Sequence, residues 1–118
     1  MRGYVEGKVI IIPGAGCGFG RLVAQKCVAR GGLVVAADID EAALTDTVAS
    51  SAGAAGRAIA VPTDVTRLDQ MRTLAARAVS EFGAIDVMVN NAGTMPLALY
   101  LDHAQAAEAW DRCIDINF

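Results

Sequence analysis

Aromatic residues, histidine and cysteine are scarce in this chain of 118 residues. Aromatics make up 5% of the sequence, there is one histidine, and the three cysteines are widely spaced with no Cys-x-x-Cys pair. Metal sites and disulfide frameworks need clusters of such residues. We therefore expect no metal site and no disulfide, and we interpret Cys27 and Cys113 as small core residues.

Basic clusters and long apolar runs are also missing. The net charge is −3 at pH 7 and the pI is near 4.9, whereas binding to nucleic acid or to an anionic membrane surface needs a basic patch. No apolar stretch approaches the roughly 20 residues that span a bilayer, and no signal peptide precedes the first apolar run. The sequence predicts a cytoplasmic protein with no nucleic-acid partner and no membrane partner.

Small and apolar residues are abundant instead, with 54% hydrophobic residues and twelve glycines. Four of these glycines follow an apolar run at residues 9–12, at Gly14, Gly16, Gly18 and Gly20. Such a loop joins a buried strand to a helix N-terminus, where N–H groups and the helix dipole favour a phosphate. Taken alone, the loop is also compatible with a simple tight turn.

Strand and helix patterns alternate four times along the chain. Apolar runs at residues 9–12, 33–37, 58–61 and 85–89 predict strands, and a helical pattern follows each, the last from about residue 104. Short connections and right-handed crossovers favour an α/β fold with a doubly wound parallel sheet. We expect about four strands in the order 3-2-1-4, in one domain over residues 1–118.

Apolar spacing and capping residues mark the predicted helices. The stripe of the first helix comprises Phe19, Leu22, Val23 and Cys27, and that of the third comprises Leu68, Met71, Ala75, Ala78, Val79 and Phe82. We expect Asp40 to cap the second helix and Thr66-x-x-Asp69 to form a capping box for the third, which Gly83 ends.

Polar residues follow the predicted strands, at the edge where open α/β sheets bind ligands. Asp38 ends the second strand, 18 residues after Gly20. A carboxylate there can accept hydrogen bonds from both ribose hydroxyls of NAD and would repel the 2′-phosphate of NADP. Asp38 could instead cap a helix, although Asp40 suits that role better. Asp64 follows the third strand as either a turn residue or an adenine-binding residue.

The motifs taken together resemble the N-terminal half of a short-chain dehydrogenase/reductase. They cover nearly the whole chain, in order: GAGCGFG at residues 14–20, Asp38, Asp64-Val65, Asn90-Asn91-Ala92-Gly93, and Trp110-Asp111-Arg112 leading to Asp115-Ile116-Asn117. Pro13 departs from the family pattern, in which threonine is usual at this position. Because proline lacks an N–H, that turn is expected to differ slightly.

The resemblance implies a Rossmann-type fold, truncated relative to the full family fold, and an NAD(H)-dependent oxidoreductase acting on an alcohol or ketone. It assigns the pyrophosphate to Gly14, Gly18, Phe19 and Gly20, the adenosine end to Asp38, Ile39, Asp64 and Val65, and the support beside the cofactor to Asn90, Asn91, Ala92 and Gly93. Asn117 matches a catalytic asparagine of the family. The alternative for Asn117 is a helix-end residue in solvent. NAD is preferred over NADP, since neither Cys17 nor Ile39 is basic.

The serine and the Tyr-x-x-x-Lys pair of the family are absent. Tyr4 and Lys8 have that spacing but enter a strand, where four residues span about 13 Å, against about 6 Å between neighbouring helical turns. His103, in a predicted loop, has no partner acid and is interpreted as a capping or exposed residue.

We therefore expect this chain to supply only the cofactor-binding half and to be inactive alone. The last helix carries no stop signal and the fourth strand would be a bare edge. These features predict a truncated chain that forms a homo-oligomer or is completed by another chain. A non-catalytic nucleotide-binding or interaction module is the alternative function.

Overall fold

The computed structural model describes residues 5–89, which contain a parallel sheet with the strand order β3-β2-β1-β4. Along the chain the elements are β1 (Val9–Pro13), α1 (Gly18–Ala29), β2 (Leu33–Asp38), α2 (Glu41–Ser50), β3 (Arg57–Pro62), α3 (Leu68–Phe82) and β4 (Val87–Met88). The predicted α/β class and strand order are confirmed. The predicted last helix lies outside the described residues.

Strand β1 is the centre of the sheet and is buried along its whole length. It pairs with β2 from Val9↔Leu33 to Pro13↔Ala37, and with β4 on its other side. A strand covered on both faces needs apolar side chains at every position, which explains the unbroken β-branched run. β3 pairs with β2 and forms the opposite edge.

Alternate residues of β1 contribute to two cores, one on each face of the sheet. Val9 and Ile11 pack in the core that α3 covers, with Met71, Leu74 and Ala78. Ile10 and Ile12 pack in the core that α1 and α2 cover, with Ala24, Val28 and Leu44. The helices therefore lie on both faces, as a doubly wound sheet requires.

The buried stripe of α1 differs from the predicted one. Its buried residues are Gly20, Ala24 and Val28, whereas Phe19 is 65% exposed and Leu22 is 48% exposed. Only Val23 and Cys27 of the predicted stripe pack against the core, both partly buried. Small residues on the inner face let the helix approach the sheet closely, so the larger side chains turn outward. On α3, Val79 is likewise exposed.

The helix ends agree in part with the predicted caps. The carboxylate of Asp40 accepts a hydrogen bond from the Ala43 N–H at 3.1 Å, as predicted, and Gly83 ends α3 in the left-handed conformation. The capping box is wrong, because α3 begins after Arg67, which makes no side-chain cap bond. Thr66 bonds instead to Asp64.

The fourth strand is shorter than residues 85–89. Asp86 precedes β4, and its carboxylate accepts a hydrogen bond from the Val9 N–H at 2.9 Å, while its own N–H donates to the Val9 carbonyl. Asp86 is thus attached to β1 by one hydrogen bond through its side chain and one through its backbone. None of the helices within residues 5–89 is long and apolar enough to cross a membrane.

Candidate functional site

The carboxyl ends of the parallel strands meet at one edge of the sheet, and the predicted binding residues that fall within residues 5–89 lie there. β1 leads into the glycine loop at residues 14–20, β2 ends at Asp38, and β3 is followed by Thr63 and Asp64. The order β3-β2-β1-β4 places β4 on the opposite side of β1 from β2. Open α/β sheets bind ligands at such a reversal, outside the carboxyl ends of the strands.

Two glycines give the loop its path. Gly14 and Gly18 have φ angles of 73° and 58°, in the left-handed region that glycine adopts at little cost. A Cβ built on Gly18 would meet no atom within 4 Å. The backbone conformation, and not crowding within the chain, therefore requires glycine here, and space remains above the loop for a bound group.

The loop is attached to the elements beneath it through Ala15. The Ala15 N–H donates to the Ala37 carbonyl of β2 at 3.0 Å, and the Ala15 carbonyl accepts from the Thr47 hydroxyl of α2 at 2.8 Å. Both Ala15 and Thr47 are buried. These bonds fix the peptide groups on either side of Ala15. Thr47 was not predicted to anchor the loop. The only sign of this role in the sequence is a hydroxyl side chain among apolar positions of α2.

The N-terminus of α1 presents its first-turn N–H groups at this edge. Cys17 is the N-cap, with no side-chain cap bond, and the first turn holds no acidic residue. The N–H groups of Gly18, Phe19 and Gly20 belong to that turn, where a helix offers no intrahelical acceptor. Together with the helix dipole they favour an anion. The donor set and the open space suit the pyrophosphate of a dinucleotide.

Asp38 is held in one orientation by two backbone donors. Its Oδ2 accepts from the Gly16 N–H at 2.8 Å, and its Oδ1 accepts from the Asp40 N–H at 3.0 Å. Each carboxylate oxygen can accept a further hydrogen bond. The neighbouring Ile39 is 73% exposed and adds an apolar surface beside the carboxylate. Gly16 was not among the predicted binding residues, although it contacts the predicted acid directly.

Asp64 shapes the loop that follows β3. Its Oδ1 accepts from both the hydroxyl and the N–H of Thr66, at 2.6 and 3.0 Å, and these hydrogen bonds hold the pKa of Asp64 below its usual value. The Asp64 N–H donates to Oε1 of Gln70 at 2.7 Å. Asp64 thus stabilises the turn after β3, while its adenine contact stays a prediction, and Val65 packs partly buried against the α3 core. Gln70 was missed because its contact reaches back past the helix start.

Other predicted site residues lie outside residues 5–89. They are Asn90, Asn91, Ala92, Gly93, the catalytic candidate Asn117, and His103. The chain reaches the same sheet edge just before them, because the Val89 N–H donates to the Ile11 carbonyl at 2.9 Å. Lys8, of the dismissed tyrosine–lysine string, lies at the opposite end of β1. Within residues 5–89, no group of three histidine, cysteine or acidic residues could hold a metal ion.

Comparison with known proteins matches residues 8–118 to the family described as short chain dehydrogenase. A probable oxidoreductase of Mycobacterium tuberculosis is 36% identical over 116 residues, which are 98% of this chain and 19% of the relative.

Solved structures show the same similarity. A hydroxysteroid dehydrogenase from Escherichia coli aligns with a TM-score of 0.72 and 35% identity, over 82% of this chain and 43% of that one. A short-chain dehydrogenase/reductase from Burkholderia phymatum in complex with NAD aligns with a TM-score of 0.66 and 43% identity, over 71% of this chain and 30% of that one. The chain therefore spans less than half the length of each of these proteins.

Proposed function

This chain belongs to the short-chain dehydrogenase family, and from that premise we propose that it supplies the NAD-binding half of an oxidoreductase. The reaction would transfer hydride between NAD and an alcohol or ketone substrate. The observation that carries the proposal is the position of Asp38, whose carboxylate bonds to the glycine loop through the Gly16 N–H. A single site thus combines anion-binding N–H groups with an acceptor for hydroxyl groups.

The preference for NAD over NADP follows from charge. The Asp38 carboxylate can accept hydrogen bonds from ribose hydroxyls, but it would repel the 2′-phosphate of NADP. A basic residue beside it could neutralise that phosphate, yet Gly16, Cys17 and Ile39 are all uncharged. The proposed discrimination thus rests on one acid and on uncharged residues at these three positions.

The residues of this chain would bind and orient the cofactor, which supplies or accepts the hydride when bound. In this proposal the N–H groups of the loop, with Gly14, Gly18, Phe19 and Gly20, hold the pyrophosphate. Asp38 and Ile39 hold the adenosine ribose, and Asp64 and Val65 hold the adenine. Residues 90–93, which follow β4 in the sequence, support the cofactor. Asn117 is the one catalytic member that the proposal assigns to this chain.

The only Tyr-x-x-x-Lys string in these 118 residues is Tyr4 to Lys8, and Lys8 immediately precedes β1 instead of lying on a helix. We therefore propose that these 118 residues by themselves bind NAD without turnover, and we propose separately that the chain assembles as a homo-oligomer or with another chain. Sedimentation equilibrium at several concentrations tests the assembly, and a stable monomer would contradict it. The proposed location is the cytoplasm, which subcellular fractionation tests.

Titration calorimetry with NADH and NADPH tests the proposed function. We expect NADH to bind more tightly than NADPH to the wild-type chain. We expect Asp38→Asn to weaken NADH binding and to reduce the difference, because the amide carries no charge to repel a phosphate. Equal affinities of the wild-type chain for the two cofactors, or no effect of the substitution, would refute the assignment of Asp38.

A further inference from the structure

We propose that Gly16 is a specificity-determining residue, because its missing side chain lets the glycine loop hold Asp38 in the orientation that discriminates NAD from NADP. This inference rests on the proposed function and extends it to a residue that does not touch the cofactor in that scheme. Gly16 is a positioning residue, since it acts through the carboxylate of Asp38.

Gly16 and the carboxylate of Asp38 are in direct contact. The Gly16 N–H lies 2.8 Å from Asp38 Oδ2. A Cβ on Gly16 would lie 2.6 Å from Oδ2 and 3.0 Å from Cγ of the same side chain. Real Cβ atoms essentially never come within 3.0 Å of another heavy atom in this way. Any residue other than glycine at position 16 therefore conflicts with the observed carboxylate position.

Of the groups that a Cβ at position 16 would meet, the Asp38 side chain is the one expected to move. The Cβ would also lie 3.1 Å from the Ala43 Cβ, and Ala43 belongs to the first turn of α2, where its N–H is held by the Asp40 cap. Asp38 is a short side chain that can rotate about its Cα–Cβ bond at smaller cost than a helix can shift. The added methyl group would thus displace the carboxylate and leave the backbone of the sheet in place.

Displacement of the Asp38 carboxylate would change how the site recognises the ribose. In the observed position both carboxylate oxygens are oriented by N–H donors, from Gly16 and from Asp40. A rotated carboxylate loses the Gly16 bond and no longer offers its oxygens in a fixed geometry to two ribose hydroxyls. Its charge remains nearby but is no longer aimed at the 2′ position. Binding of NADH is therefore expected to fall more than binding of NADPH.

The experiment is a double-mutant cycle on the full 118-residue chain with Gly16→Ala, Asp38→Ala and the double variant. Calorimetry gives the NADH and NADPH dissociation constants. We expect G16A to weaken NADH binding about tenfold, as for the loss of one hydrogen bond to a charged group. The NADPH constant should change by less, so the ratio falls. In the D38A background, G16A should leave the ratio unchanged.

Gly53→Ala provides the matched control. Gly53 has a φ of 82° in a turn remote from the loop, and a Cβ there would meet nothing within 4 Å. The Gly53→Ala substitution adds the same methyl group, at a conformational cost to the backbone, without touching Asp38. The ratio of the NADH and NADPH dissociation constants should therefore stay at the wild-type value. An unchanged ratio in G16A, or an equal change in the D38A background, would overturn the role of Gly16.

Urea unfolding separates this inference from the proposed function. If the wild-type chain binds neither cofactor, the proposed function fails, but the contact between the two residues is still tested. G16A should then lower the unfolding midpoint by more in the wild-type background than in the D38A background, where the carboxylate is gone. Equal decreases in the two backgrounds would overturn the positioning of Asp38 by Gly16.

Discussion

Replacing Thr47 with valine is expected to loosen the glycine loop while keeping the shape of α2. Thr47 is 1% exposed, and its hydroxyl donates to the Ala15 carbonyl at 2.8 Å. Valine has nearly the same volume and the same branching at Cβ, but it has no donor. The substitution therefore removes one buried hydrogen bond and leaves a buried carbonyl with one donor fewer.

The expected magnitude follows from that loss. A buried polar group left without its partner lowers the free energy of unfolding by about 1–3 kcal/mol. The extra buried methyl group of valine raises it by up to about 0.8 kcal/mol. The net expectation is a loss of about 1–2 kcal/mol in the free energy of unfolding. Because Ala15 precedes Gly16 and the start of α1, NADH affinity should fall as well.

Thr45→Val is the matched control in the same helix. The Thr45 hydroxyl donates to the Glu41 carbonyl at 3.0 Å, but this bond is exposed and does not reach the loop. Substitutions at such sites stay within about 0.5 kcal/mol. Urea unfolding followed by circular dichroism compares the two variants, and Thr47→Ser should regain most of the loss. If T47V unfolds at the same urea concentration as T45V, the anchoring of the loop through Thr47 is wrong.

Three further outcomes are expected. Gly18→Ala should cost about 1–2 kcal/mol of stability, because φ of 58° is left-handed, and should weaken NADH binding; a variant with wild-type melting and binding would contradict this. Thr66→Ala should raise the pKa of Asp64 toward its usual value of 3.8, as NMR titration would show. Because the folded-state pKa is lowered, the stabilising effect is present above pH 3.8 and is lost as the pH falls through the folded value; an unshifted titration would refute the role of Thr66. Thiol labelling mapped by mass spectrometry should modify exposed Cys17 before Cys27, whose pKa is raised by burial; equal rates would contradict the half-buried position of Cys27.

The strand order and the edge of the sheet that carries the site could both be predicted from the chain. The β-branched runs identify buried parallel strands, and right-handed crossovers leave few ways to connect them. The glycine loop and Asp38 then follow strands whose carboxyl ends meet at that edge. Asn90 to Gly93 and Asn117 lie outside the described residues, so their roles remain predictions.

The errors lie at helix boundaries and faces. The apolar spacing of Phe19 and Leu22 is helical, yet both are exposed, because small residues form the face that packs on the sheet. The Thr66-x-x-Asp69 pattern matches a capping box, but Asp64 accepts the hydrogen bonds of Thr66 before the helix begins. In the first case packing against the sheet overrides the predicted face of the helix. In the second case the turn at Asp64 replaces the predicted capping box.

Local sequence patterns are enough to predict the alternation of strands and helices, the glycine loop and the acid at the end of β2. These features depend on backbone sterics and on periodic burial, which act over a few neighbouring residues. Two contacts emerge only in the folded chain: Gly16 bonds to Asp38, 22 residues away, and Thr47 bonds to Ala15, 32 residues away. The first contact depends on how β2 lies beside the loop and the second on how α2 packs over it; packing of the whole core sets both, and no local pattern records them.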